Sequence, residues 1–108
     1  EVEVHWVPGA WEIPLALDWM AQGGRFGGLV AIGCVIRGST PHIDYVAGHA
    51  ASGCASVQQT HKIPVGFGVL TTEDLEQALE RAGSKMGNKG AEAAEAVLDM
   101  LELKRELA

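Results

Sequence analysis

Leu29 to Ile36 is a run of eight residues, LVAIGCVI, without a charge or a hydroxyl, and no other segment constrains the chain as much. A strand with one face in water alternates apolar with polar residues, so near-continuous apolar character predicts a parallel strand buried on both faces. The run passes through Arg37 into Gly38-Ser39-Thr40 and then Pro41-His42, and from Ile43 onward the apolar spacing is helical. The turn therefore lies at the strand's carboxyl end, the edge of an open α/β sheet where ligands bind.

The rest of the chain alternates in the same way. Val2 to Val7 alternates apolar with polar residues and stops at Pro8-Gly9, which predicts a first strand. Ile13 to Gln22 predicts a helix that tolerates Pro14 because it falls in the first turn, and Gly23-Gly24 ends it. Ile43 to His61 predicts a second helix, rich in Ala and Gly and so suited to close packing. Pro64 to Leu70 is a third apolar strand, and Thr71-Thr72-Glu73-Asp74 is a capping signal for a helix running to Ala82. Gly87-Asn88 breaks the chain before a last helix, Gly90 to Leu107, with Ala94, Val97, Leu98 and Leu101 on one stripe.

This order predicts a single α/β domain over residues 1–108, with right-handed parallel crossovers and helices in layers about a three-stranded sheet. Three strands are few for a sheet that needs both faces and its edges covered. A missing strand or extensive subunit contacts are expected.

Composition narrows the partners. The net charge is −6 and no run of Lys or Arg occurs, which argues against nucleic acid and against an anionic membrane surface. The longest apolar run is far short of the roughly 20 residues that span a bilayer, and no leader pattern opens the chain. A cytoplasmic protein acting on small molecules fits. With two cysteines and no CxxC pair, Cys34 and Cys54 are expected to be reduced packing residues, with no structural metal.

The turn carries the chemistry. Gly38-Ser39-Thr40 offers backbone N–H groups and two hydroxyls at a helix entry, where unpaired donors and the helix dipole favour an anion such as phosphate. The same residues also fit a plain helix cap, and the local pattern leaves both open. His42 follows immediately, and histidine is the side chain whose ordinary pKa lies nearest neutrality. His5, His49 and His61 have no such setting and carry no assigned role. Trp11-Glu12 follows the first strand on the same sheet edge, an aromatic face beside a carboxylate that suits a flat heterocycle, but the pattern alone favours a structural role for each residue: a core or interface aromatic and a favourable charge in the first helical turn. Phe67 fits core packing. Arg81 fits a surface cation at a helix end or a phosphate ligand. Lys85 and Lys89 flank Gly87-Asn88. Arg37 has three partners open to it: substrate, a neighbouring carboxylate, or water.

Four ordered blocks, VPGAWEIP at Val7 to Pro14, Gly33 to Val46 with VIRGSTPH, Phe67 to Thr72, and ERAGSKMGNKG at Glu80 to Gly90, resemble lumazine synthase, the 6,7-dimethyl-8-ribityllumazine synthase family of riboflavin biosynthesis. The resemblance runs the length of the chain. It implies a flavodoxin-like, three-layer α/β/α sandwich with four strands in the intact family. It also implies condensation of 5-amino-6-(ribitylamino)uracil with 3,4-dihydroxy-2-butanone 4-phosphate, releasing phosphate and water, without metal or other cofactor.

By position, Ala10, Trp11 and Glu12 match the segment that holds the pyrimidine, with Trp11 standing where the family more often has Phe or another residue. Cys34, Val35 and Ile36 match the strand end lining the same pocket. Ser39 and Thr40 match the phosphate-binding pair, with Gly38 beside them, and His42 matches the proton donor. Phe67, which stacks on the pyrimidine, and Arg81, which binds phosphate, match residues given by the adjacent subunit, and Lys89 matches a basic position nearby.

The resemblance further implies a homopentamer with shared active sites. The short Gly83 to Gly90 connection is like that of members that close into a sixty-subunit icosahedral shell, and riboflavin synthase is a candidate partner. A shell-forming or flavin-binding relative without turnover is the alternative reading. A generic phosphate-binding module is a further one, but it would not predict Phe67, Arg81 and Trp11-Glu12 together. The family has a further strand and helix upstream of the position of Glu1, the strand lying mid-sheet, so the sequence is expected to be part of a longer polypeptide, a proteolytic remnant, or one of two chains that complement each other.

Overall fold

The computed structural model describes residues 2–37, 42–72 and 88–108, and in these the apolar run forms a strand as its composition requires. A short 3-10 turn, Ala10–Glu12, leads into α1 (Ile13–Gln22). Then come β1 (Leu29–Ile36), α2 (Ile43–His61), β2 (Val65–Thr72) and α3 (Lys89–Leu107). β1 and β2 pair in parallel over eight positions, from Leu29 with Val65 to Ile36 with Thr72.

The expected three-stranded sheet is corrected: among the described residues the sheet has two strands. Val2–Val7 is the segment that fails to join it. A strand exists only as part of a ladder, and these residues have the alternating pattern but pair with neither open edge of the two-stranded sheet. They are tethered through side chains instead. Glu3 pairs with the Arg25 guanidinium, and that hydrogen bond holds the Glu3 carboxyl below its ordinary range. Arg25 in turn lies over the Phe26 ring, 4.4 Å from its centroid. The further strand and the flavodoxin-like completion therefore have no counterpart in the described residues.

Successive side chains of a strand point to opposite faces, and the two faces are covered differently. Leu29 and Ala31 of β1 and Val69 of β2 are buried with Ile13 and Leu17 of α1 and with Cys54 and Val57 of α2. On the opposite face Gly66 and Gly68 of β2 let α3 approach closely: a Cβ on Gly66 would lie 2.5 Å from the Ala93 carbonyl oxygen. Burial of β1 on both faces, expected from its composition, holds only near its start; Ile32 is 67% exposed and Ile36 41%.

The ends of α2 explain how the crossover is made. Lys62 takes the left-handed conformation at φ 58° and closes the helix, its N–H donating to the Gln58 carbonyl at 2.9 Å. The Gln58 side chain then accepts the first N–H of β2, from Val65, at 3.0 Å. Pro64 has no N–H to give a ladder, so β2 begins one residue later than its apolar run; the Pro64 carbonyl accepts from Leu29 N at 3.0 Å. Thr71 and Thr72, expected as a cap, instead end β2 opposite Val35 and Ile36. The helix expected up to Ala82 lies outside the described residues. α3 begins at Asn88, whose side chain accepts from Ala91 N at 3.0 Å. Among the described residues no helix is long and apolar enough to cross a membrane.

α1 and α2 pack through Gly53, where a Cβ would stand 2.4 Å from Cβ and Cγ of Pro14. Proline cannot yield as a flexible side chain can. Gly53→Ala is therefore expected to destabilise the fold by about 1–3 kcal/mol, read as a lower midpoint in denaturant titration; an unchanged midpoint contradicts the packing described.

Candidate functional site

The parallel register brings the carboxyl ends of β1 and β2 side by side, Ile36 against Thr72. Arg37 continues the ladder, its backbone N–H donating to the Thr72 carbonyl at 2.8 Å. Its guanidinium reaches the first turn of α2, where Nη2 donates to Asp44 Oδ1 at 3.0 Å. Of the three partners open to Arg37 in the sequence, the neighbouring carboxylate is realised. Both side chains are accessible to solvent, so the pair is worth at most about 1 kcal/mol. It links strand end to helix start on either side of residues 38–41.

His42 occupies the N-cap position of α2, with helical φ −61° and ψ −22°. Its carbonyl accepts from Tyr45 N at 3.2 Å and Val46 N at 3.4 Å, and its exposed imidazole lies 6.5 Å, centroid to centroid, from the Tyr45 ring. The imidazole thus stands at the head of α2, just past the carboxyl end of β1. Gly38, Ser39, Thr40 and Arg81 lie outside the described residues.

Ala10, Trp11 and Glu12 form the 3-10 turn that packs between α2 and β1. The turn is closed by Glu12 N donating to the Gly9 carbonyl at 3.1 Å, and by Ile13 N donating to the Ala10 carbonyl. Glu12 folds back toward Gly9, its Oε1 only 3.4 Å from where a Cβ on that glycine would be. Val35 packs against the buried cluster, while Cys34 and Ile36 are exposed. The turn, the end of β1 and the head of α2 thus converge on one side of the domain.

Phe67 and Lys89 are elsewhere. Both line an open groove of about 420 Å³ between β2 and α3, with Glu92 and Ala93 among its other walls. Phe67 is 44% exposed, so its expected core role is not what the described fold gives it. Lys89 Nζ lies 3.4 Å from Glu92 Oε1. Among the described residues, the lining of the groove does not include His42, Trp11 or Glu12.

Two histidines without an assigned role turn out to be structural links. His61 Nε2 is 2.8 Å from Asp18 Oδ1, joining the end of α2 to α1. His49 stacks on Trp11 with ring centroids 3.9 Å apart and planes 25° from parallel, and its Nε2 lies 3.1 Å from the Trp11 carbonyl oxygen. The sequence signal for His49 is its spacing: seven residues after His42 is two helical turns, which puts both on one face of α2. The family model of 6,7-dimethyl-8-ribityllumazine synthase matches residues 1–105 of the chain.

The two thiols are distinguished by their surroundings. Cys54 is 3% exposed, and burial pushes its thiol up from 9.0 to about 11. Because the folded value lies above the unfolded one, this group's contribution to stability is intact below pH 9.0 and is lost as pH climbs toward about 11. Cys34 is exposed. A thiol reagent added to the native protein at mildly alkaline pH is expected to label Cys34 promptly and Cys54 only on unfolding; equal rates for both contradict the burial described.

Proposed function

Since the chain belongs to the 6,7-dimethyl-8-ribityllumazine synthase family, transferases of riboflavin biosynthesis, we propose that it condenses 5-amino-6-(ribitylamino)uracil with 3,4-dihydroxy-2-butanone 4-phosphate. The observation that carries this reading is the placement of His42 at the head of α2, just past the carboxyl end of β1, with the Trp11-Glu12 turn packed on the same helix. In this reading the turn and Cys34 to Ile36 hold the pyrimidine. The indole offers a flat apolar face and Glu12 a carboxylate acceptor for ring N–H groups. Gly38, Ser39, Thr40 and Arg81 bind the phosphate of the second substrate.

The uracil's 5-amino group attacks the ketone to form an imine with loss of water, phosphate then leaves, and ring closure with loss of a second water gives the lumazine. The protein's work is positioning and proton transfer. Holding two substrates together removes much of the entropic barrier, and cationic and N–H groups at the phosphate stabilise the charge it carries away. His42 moves protons at imine formation and at elimination.

Phe67, Arg81 and Lys89 complete the site from the adjacent copy in this proposal. Two observations support sharing. Phe67 and Lys89 lie in a groove apart from His42. Large apolar side chains also remain exposed, among them Trp6 at 91%, Trp19 at 63%, Tyr45 at 75% and Leu98 at 65%, as expected of a chain that buries surface against copies of itself. A pentamer, with assembly into a closed shell, is the proposed form.

Mixing the intact protein with both substrates is expected to give lumazine absorbance and one phosphate per turnover. His42→Ala should lower kcat by about 100-fold or more, and Arg81→Ala should chiefly raise KM for the phosphate substrate. Absence of both products contradicts the reading and favours a shell-forming or flavin-binding relative without turnover; normal kinetics in both variants contradicts the residue roles.

A further inference from the structure

We propose that His49 is a positioning residue for the pyrimidine end of the site, acting through Trp11 and setting the indole relative to His42; this rests on the function proposed above. Pro14 leaves a place for it in the hydrogen-bond series of the turn. In the 3-10 turn each carbonyl takes the N–H three residues on, so Gly9 accepts from Glu12 and Ala10 from Ile13. The next carbonyl in the series is that of Trp11, and the residue three places on is Pro14, which has no N–H. His49 Nε2, 3.1 Å away, supplies the donor that Pro14 lacks. A carbonyl oxygen can only accept, so the proton is on Nε2.

The same imidazole is stacked on the indole at 3.9 Å. One side chain therefore holds Trp11 twice, by its backbone carbonyl and by its ring. The stack covers one face of the indole, while Trp11 as a whole is still 52% exposed, which leaves surface for a flat ligand. His49 is also tied to His42 by the helix between them. Seven residues of α-helix return to within about 20° of the same direction after a rise of about 10 Å. Because α2 is rigid over this span, the separation between the indole and the proton-transferring imidazole is set by the helix, provided His49 keeps Trp11 in place.

Substitutions at His49 divide the two functions. His49→Gln keeps an N–H donor without the ring, His49→Phe keeps a ring without the donor, and His49→Ala removes both. Steady-state kinetics with each substrate varied in turn, on the intact protein, is the test. Emission from Trp11 is read in parallel, in a background with Trp6 and Trp19 replaced by Phe. His49→Ala is expected to raise KM for the pyrimidine about tenfold, leave KM for the phosphate substrate within twofold, and shift Trp11 emission to the red. Gln and Phe should each restore part of the pyrimidine KM. Unchanged pyrimidine KM, or an equal rise in both KM values, overturns the proposal while leaving the reaction standing. Absence of lumazine with the unmodified protein overturns the reaction itself and the proposal with it.

Discussion

Parallel pairing of β1 with β2 is the constraint on which the other features depend. Two parallel strands cannot be joined by a tight turn, so the chain must leave the sheet and run back along one face. α2 makes this return, and its length matches the strand it spans. Nineteen residues of helix measure about 28 Å, close to the roughly 26 Å of an eight-residue strand. The crossover therefore begins beside the carboxyl end of β1 and finishes beside the start of β2. His42 stands at one end, and Lys62 with Gln58 delivers the chain to Val65 at the other. The Arg37 pair with Asp44 lies across the first of these corners, a solvent-accessible contact between strand end and helix head.

Elements whose character is local are legible from the sequence. Leu29–Ile36, Ile13–Gln22 and Ile43–His61 have the bounds their apolar patterns predict, because helical and strand periods are properties of neighbouring residues. Val2–Val7 carries an equally clear alternation and forms no strand. Whether such a segment pairs depends on a neighbouring edge, which its own residues do not encode. The extension of β2 to Thr72 has the same origin: Thr71 and Thr72 read as a cap in isolation, but the ladder with Val35 and Ile36 claims them.

The candidate site is legible in part for a related reason. Residue types with evident chemistry, His42 and the Trp11-Glu12 pair, stand out in one dimension, and the described fold brings their elements together. His49 does not stand out, because its partner is thirty-eight residues away and its hydrogen bond goes to the backbone of a turn on another element, not to any feature of its own neighbourhood. Phe67 reads as core from its strand, and only the placement of α3 shows that it borders a groove. A proline that suits a first helical turn, a histidine on the next helix and an exposed indole thus form one arrangement, in which a local backbone requirement also fixes an aromatic surface.

In this picture a ligand-binding edge is built where the 3-10 turn, the end of β1 and the head of α2 meet. Hydrogen exchange read by mass spectrometry, on the intact protein with and without 5-amino-6-(ribitylamino)uracil and inorganic phosphate, tests that edge most directly. Slower exchange on binding is predicted at residues 10–13, 34–37 and 42–49, with a second protected segment at 67–70 and no change along residues 98–107. Protection confined to the outer turns of α3, or binding that leaves residues 10–13 and 42–49 unaltered, would contradict it.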